Sequence, residues 1–95
     1  MTNRQIPSDP HPFPHEISGH ELMAAVRIPP REGEFPNLAV FIGRDPLAPA
    51  SRAFAVWDAA VRDGEWTFFS GEYDLPYPLA VAEFMSRTAS FREHL

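Results

Sequence analysis

Between His20 and Ile28 the side chains alternate, with Leu22, Ala24, Val26 and Ile28 on one side and Glu21, Met23, Ala25 and Arg27 on the other. A period of two predicts a strand, which Pro29-Pro30 ends. A loop through Gly33 leads to a second strand over 37–44, where Leu38, Val40 and Ile42 face away from Ala39, Phe41 and Gly43. Asp45-Pro46-Leu47-Ala48-Pro49-Ala50-Ser51 reads as a proline-punctuated loop. The next segment, about 52–62, is the most apolar in the chain. Its alanines would also suit a helix, but the hairpin signal that follows decides for a strand.

That signal is Asp63-Gly64 between two apolar runs. A type I′ turn needs positive φ at both central positions, which Asp tolerates and Gly favours. The implied pairing sets Arg62 against Glu65, Val61 against Trp66, Ala59 against Phe68, Trp57 against Ser70 and Phe54 against Tyr73. One face then carries Ala55, Trp57, Ala59, Val61, Trp66 and Phe68. The other carries Phe54, Val56, Ala60, Phe69 and Tyr73, with Asp58 and Thr67.

Pro76 and Pro78 place the start of a C-terminal helix near Pro78. Val81, Phe84, Met85 and Thr88 form its inward stripe. Glu83, Arg87 and Ser90 point to water, with Glu83 and Arg87 as an i, i+4 ion pair. Residues 1–19, which hold Pro7, Pro10, Pro12 and Pro14, read as an irregular arm. The expected architecture is α+β: a four-stranded antiparallel sheet (ββββ) followed by one C-terminal helix. Residues 1–19 form the Pro-rich arm and 20–95 a single domain.

Composition narrows the chemistry. An apolar share of 44% suits one globular domain. The absence of cysteine excludes disulfides, thiol nucleophiles and cysteine-ligated zinc or iron–sulfur sites. No apolar run approaches the roughly 20 residues that span a bilayer, and the first residues lack the apolar core of a signal peptide. A cytoplasmic location, with no membrane partner, is the expectation. The net charge is −5, and the eight basic residues, all arginines, are scattered along the chain. Nucleic-acid binding needs a concentrated basic surface, so no nucleic-acid partner is expected. Arginine in full replacement of lysine suits a GC-rich bacterial or phage genome.

His11, His15 and His20, beside Asp9 and Glu16, use the vocabulary of metal ligands. They sit in a proline-rich arm that preorganises nothing, so they read as a solvated tail, as does His94. No metal, cofactor or catalytic set is expected. Asp58 interrupts the most apolar strand, and a buried carboxylate needs a partner or takes up a proton. An arginine, a backbone amide or the solvated sheet edge would supply the partner. The alternative is a small-ligand or minor enzymatic pocket built from Asp58, Phe69 and Tyr73.

One helix covers one face of such a sheet, and both faces here are apolar. The arm contributes Ile6, Phe13 and Ile17, too little to cover the second face. A second copy of the chain or a different protein would complete it. The expectation is therefore a non-enzymatic, acidic, homodimeric interaction module with Trp57, Val61, Trp66 and Phe68 as interface candidates.

Overall fold

The computed structural model describes residues 12–28 and 38–93, with the backbone alone for 91–93. The expected loop over 29–37, together with Ile6, Asp9, His11 and His94, lies outside the described residues. In chain order the elements are β1 (Glu16–Ile17), β2 (His20–Ile28), β3 (Leu38–Arg44), a 3-10 turn (Ala50–Arg52), β4 (Phe54–Arg62), β5 (Glu65–Leu75) and α1 (Tyr77–Glu93). All strands join one antiparallel sheet in the order β1-β2-β3-β4-β5. The α+β class is as expected, but among the described residues the sheet has five strands rather than four. The additional strand is β1, in the segment read as irregular. Its two residues close a hairpin through Ser18 and Gly19, which take φ of 50° and 80°. The short pairing lacks the alternating run that makes a strand legible.

Three register shifts, one between β2 and β3 and two between β4 and β5, account for the other departures. In β2 the register moves between Leu22 and Ala24, so Met23 is the inserted residue. Because side chains alternate, one insertion transfers everything before it to the opposite face. Leu22 therefore packs with Ala25 on the Trp57 side, while Val26 and Ile28 stay on the helix side. In the β4–β5 hairpin the expected register holds from Arg62↔Glu65 to Asp58↔Phe69. It then shifts twice, giving Val56↔Glu72 and Phe54↔Leu75. Phe54 does not face Tyr73. The shifts coincide with Ser70 and Asp74, non-glycine residues at φ of 54° and 58°, and they swing Tyr73 onto the Trp57 face.

The sheet curls as a result. In a flat sheet β2 and β5 would stand about 14 Å apart, three strand spacings. Yet the rings of His20 on β2 and Tyr73 on β5 lie 6.0 Å apart, both within reach of Trp57. α1 packs on the opposite face, over β2, β3 and β4. There Ile28, Val40, Ile42, Phe54, Val56 and Ala80 form one core. Ile17, Ala39, Phe41, Ala55, Trp57 and Ala59 form the other.

The inward stripe of α1 also differs from expectation. Ala80, Val81 and Phe84 face the sheet, whereas Met85 is 64% exposed. Arg87, expected in water, turns toward β4. There its guanidinium meets the partly buried carboxylate of Asp58.

Candidate functional site

Asp58 and Arg87 form the charged centre of the helix–sheet interface. β4 aims Asp58 at α1, since Asp58 shares a face with Val56 and Ala60. One turn separates Glu83 from Arg87 on α1, so the guanidinium reaches both acids. Its Nη1 donates to Asp58 Oδ1 at 3.2 Å and its Nε to Glu83 Oε2 at 2.7 Å. The Arg87 and Asp58 side chains retain only 14% and 15% of their exposure. Burial raises the Asp58 pKa above the ordinary carboxylate value; Arg87 pulls it down and Glu83 pushes it up, and burial prevails. Burial also lowers that of Arg87, but Glu83 and Asp58 more than offset it and hold the guanidinium above its ordinary value. Asp58 is thus tied to an arginine, with Phe69 beside it in register on β5 and exposed.

The aromatic candidates fall into a different group. Trp57 is 1% exposed, and its indole N–H donates to the Tyr73 hydroxyl at 2.7 Å. Tyr73 therefore belongs with Trp57 rather than with Asp58 and Phe69. Trp66 and Phe68 are half-buried against Phe41, at ring separations of 5.1 and 5.6 Å. Val61 is half-buried opposite Trp66. Over them lies the segment before β1. Phe13 meets Phe41 edge-on at 5.3 Å, Arg27 stacks on Phe13 at 4.1 Å, and the Trp66 indole N–H donates to the Pro12 carbonyl at 2.8 Å. Phe13 and Ile17, judged too little to cover this face, close it together with the curl of the sheet. Trp57 consequently has no surface to offer a partner in this conformation.

His20 leans on Trp57, and its Nδ1 lies 3.0 Å from the Ser18 carbonyl. His15 is exposed. Among the described residues no group of three or more histidines and acids is placed to hold a metal ion.

The surface that the alternation pattern did not reveal is the outer face of α1. Leu79, Ala82, Met85, Ser86 and Ala89 all point to solvent, Leu79 at 59% exposure, and none carries charge. The two charged residues between Tyr77 and Ser90 are Glu83 and Arg87, which are tied to each other. A groove of about 400 Å³ flanks the helix on the β2 side, lined by Met23, Tyr77, Val81, Phe84 and Met85 among others, with no charged side chain. A second, of about 390 Å³, lies on the β5 side, lined by Leu75, Leu79, Ala82 and Ser86 and bordered by the carboxylates of Glu72 and Glu83. A helical count of outward residues that are neither charged nor strongly polar would have found this face.

No protein-family model, no curated protein and no solved structure matches the chain. Among the described residues, no helix is long and apolar enough to cross a membrane.

Proposed function

We propose that the chain is a small non-enzymatic interaction module, homodimeric, that acts by contact with another protein through the outer face of α1. The observation that carries this reading is the lack of charge on that face. A surface helix in water normally presents polar and charged residues outward, and this one presents Leu79, Ala82, Met85, Ser86 and Ala89. Exposed apolar surface of this kind marks a site of association. Methionines such as Met23 and Met85 suit it, because their unbranched side chains adapt to a partner's contour. The matching partner presents an uncharged apolar surface to the helix and inserts side chains into the methionine-lined groove.

The alternative reading, a ligand or catalytic pocket around Asp58, loses its main support. Its carboxylate already has Arg87, and Tyr73 stands on the other face of the sheet. The test is a photo-crosslinking amino acid placed at Ala82 in cells that produce the protein, with Thr67 as control position. A discrete protein adduct from Ala82, absent from Thr67 and lost with Met85→Glu, supports the reading. No adduct from the helix face in a folded chain overturns it.

A further inference from the structure

The segment that closes the aromatic face is held as an extended ligand is held. Pro12 gives its carbonyl to the Trp66 indole N–H at 2.8 Å, and Phe13 lies between Phe41, Trp66 and the Arg27 guanidinium. Tryptophan N–H donation to a proline-flanked backbone, in an aromatic groove, is the manner in which proline-rich peptides are recognised. Here the ligand is tethered by a two-residue turn. Ser18 holds a left-handed φ of 50° in it, a conformation that costs a residue with a Cβ.

The register makes that tether dispensable. Glu16 faces Glu21, Ile17 faces His20, and the Leu22 N–H donates to the His15 carbonyl at 3.0 Å. Each pair of numbers has the same sum, and so do Ser18 and Gly19 in the turn itself. If the turn opens and the chain runs straight from Ile17 into His20, the same register continues between two chains. Glu16 then faces the partner's Glu21, Ser18 the partner's Gly19, and His20 the partner's Ile17. The result is one uninterrupted antiparallel ladder across residues 15 to 22 about a two-fold axis. Every contact of Pro12 and Phe13 is re-formed on the other copy. Two pairings are gained and two strained serines are released.

We propose that the chain dimerises by exchanging its arm, with residues 12–17 of each copy seated in the aromatic groove of the other. The occupant is a second copy because the segment observed in the groove is this sequence. Each aromatic face is then completed by the partner's Phe13. Short, strained hinge turns favour such exchange. The exchange uses neither α1 nor its grooves and leaves the helix face open to a different protein.

The chain has no cysteine, which permits a direct test with two single variants, Glu16→Cys and Glu21→Cys. Both positions are exposed, and they are register partners at a separation that a disulfide bridges. The two variants are mixed, partly unfolded, refolded together at about millimolar concentration and oxidised. Arm exchange predicts a covalent heterodimer of the two variants, read by mass spectrometry, well above the homodimer each gives alone. Ser18→Gly, which relieves the closed turn, should lower the heterodimer yield about tenfold or more. Two glycines inserted between Ser18 and Gly19 should abolish it. A non-covalent dimer by light scattering with no excess of heterodisulfide overturns arm exchange but leaves the interaction module standing. A monomer at every concentration overturns both arm exchange and the homodimer. Heterodisulfide yield that is indifferent to Ser18→Gly and to the insertion also overturns it.

Discussion

The indole N–H of Trp57 on β4 donates to the hydroxyl of Tyr73 on β5 at 2.7 Å, across a stretch where the hairpin register shifts twice. The simple pairing would have put Tyr73 on the opposite face. The bond supplies the acceptor that a fully buried indole N–H requires. Tyr73→Phe should therefore destabilise the fold by about 1–2 kcal/mol, because the buried donor is left without a partner. Urea unfolding measures it, and an unchanged midpoint would show that water replaces the hydroxyl.

Gly71 lies under the same pair. A Cβ there would stand 2.8 Å from Tyr73 Cε2 and 3.0 Å from Trp57 Cδ1. Tyr73 is exposed enough to move, but moving it breaks the bond to Trp57. At Gly64 a Cβ meets nothing, and the obstacle is only its φ of 79°. Gly71→Ala is expected to cost about 1–3 kcal/mol and Gly64→Ala about 1–2 kcal/mol. Only the first should also alter the near-ultraviolet circular dichroism of tryptophan.

Asp58 and Arg87 depend on each other unequally. Without Asp58, Arg87 still holds Glu83; without Arg87, Asp58 loses the cation that offsets its burial. Arg87→Met should cost about 2 kcal/mol or more, and Asp58→Asn clearly less. Equal costs in thermal melts at neutral pH would contradict the asymmetry.

The same pair predicts a pH dependence. The folded pKa of Asp58 is raised above its ordinary value, chiefly by burial. The folded chain thus binds the proton more tightly than the unfolded chain. Its contribution to stability is fully present below the ordinary carboxylate range and is lost as pH rises through the raised value. Relative to Asp58→Asn, the native chain should gain stability as pH falls from about 7 to 4. A loss over that range, as for a carboxylate stabilised mainly by its ion pair, would reverse the sign.

Phe13 is the lid of the aromatic face. Phe13→Ala removes a ring from Phe41, Trp66 and Arg27 together. It should cost about 1–3 kcal/mol and shift tryptophan emission to longer wavelength as Trp66 meets water. Unchanged emission would mean that the groove closes without it.

The sequence determined the elements whose signals are local. Asp63-Gly64 fixes the hairpin turn and the first five residue pairs of β4 with β5, because two positive-φ positions leave little choice of register. The face assignment in β3 and the Glu83–Arg87 pair also follow from strict periodicity. Tertiary structure decided what a single inserted residue changes. Met23 transferred Leu22 to the opposite face, and the Ser70 and Asp74 conformations brought Tyr73 over Trp57. Neither is visible in a pattern that assumes an unbroken period of two. The covering of the second face was likewise undetermined. Phe13 and Ile17 suffice only because the sheet curls and leaves less area than a flat one would. The uncharged run Leu79, Ala82, Ser86 and Ala89 on α1 was written in the sequence from the start, whereas the exposure of Met85 and the inward turn of Arg87 toward Asp58 belong to the tertiary packing.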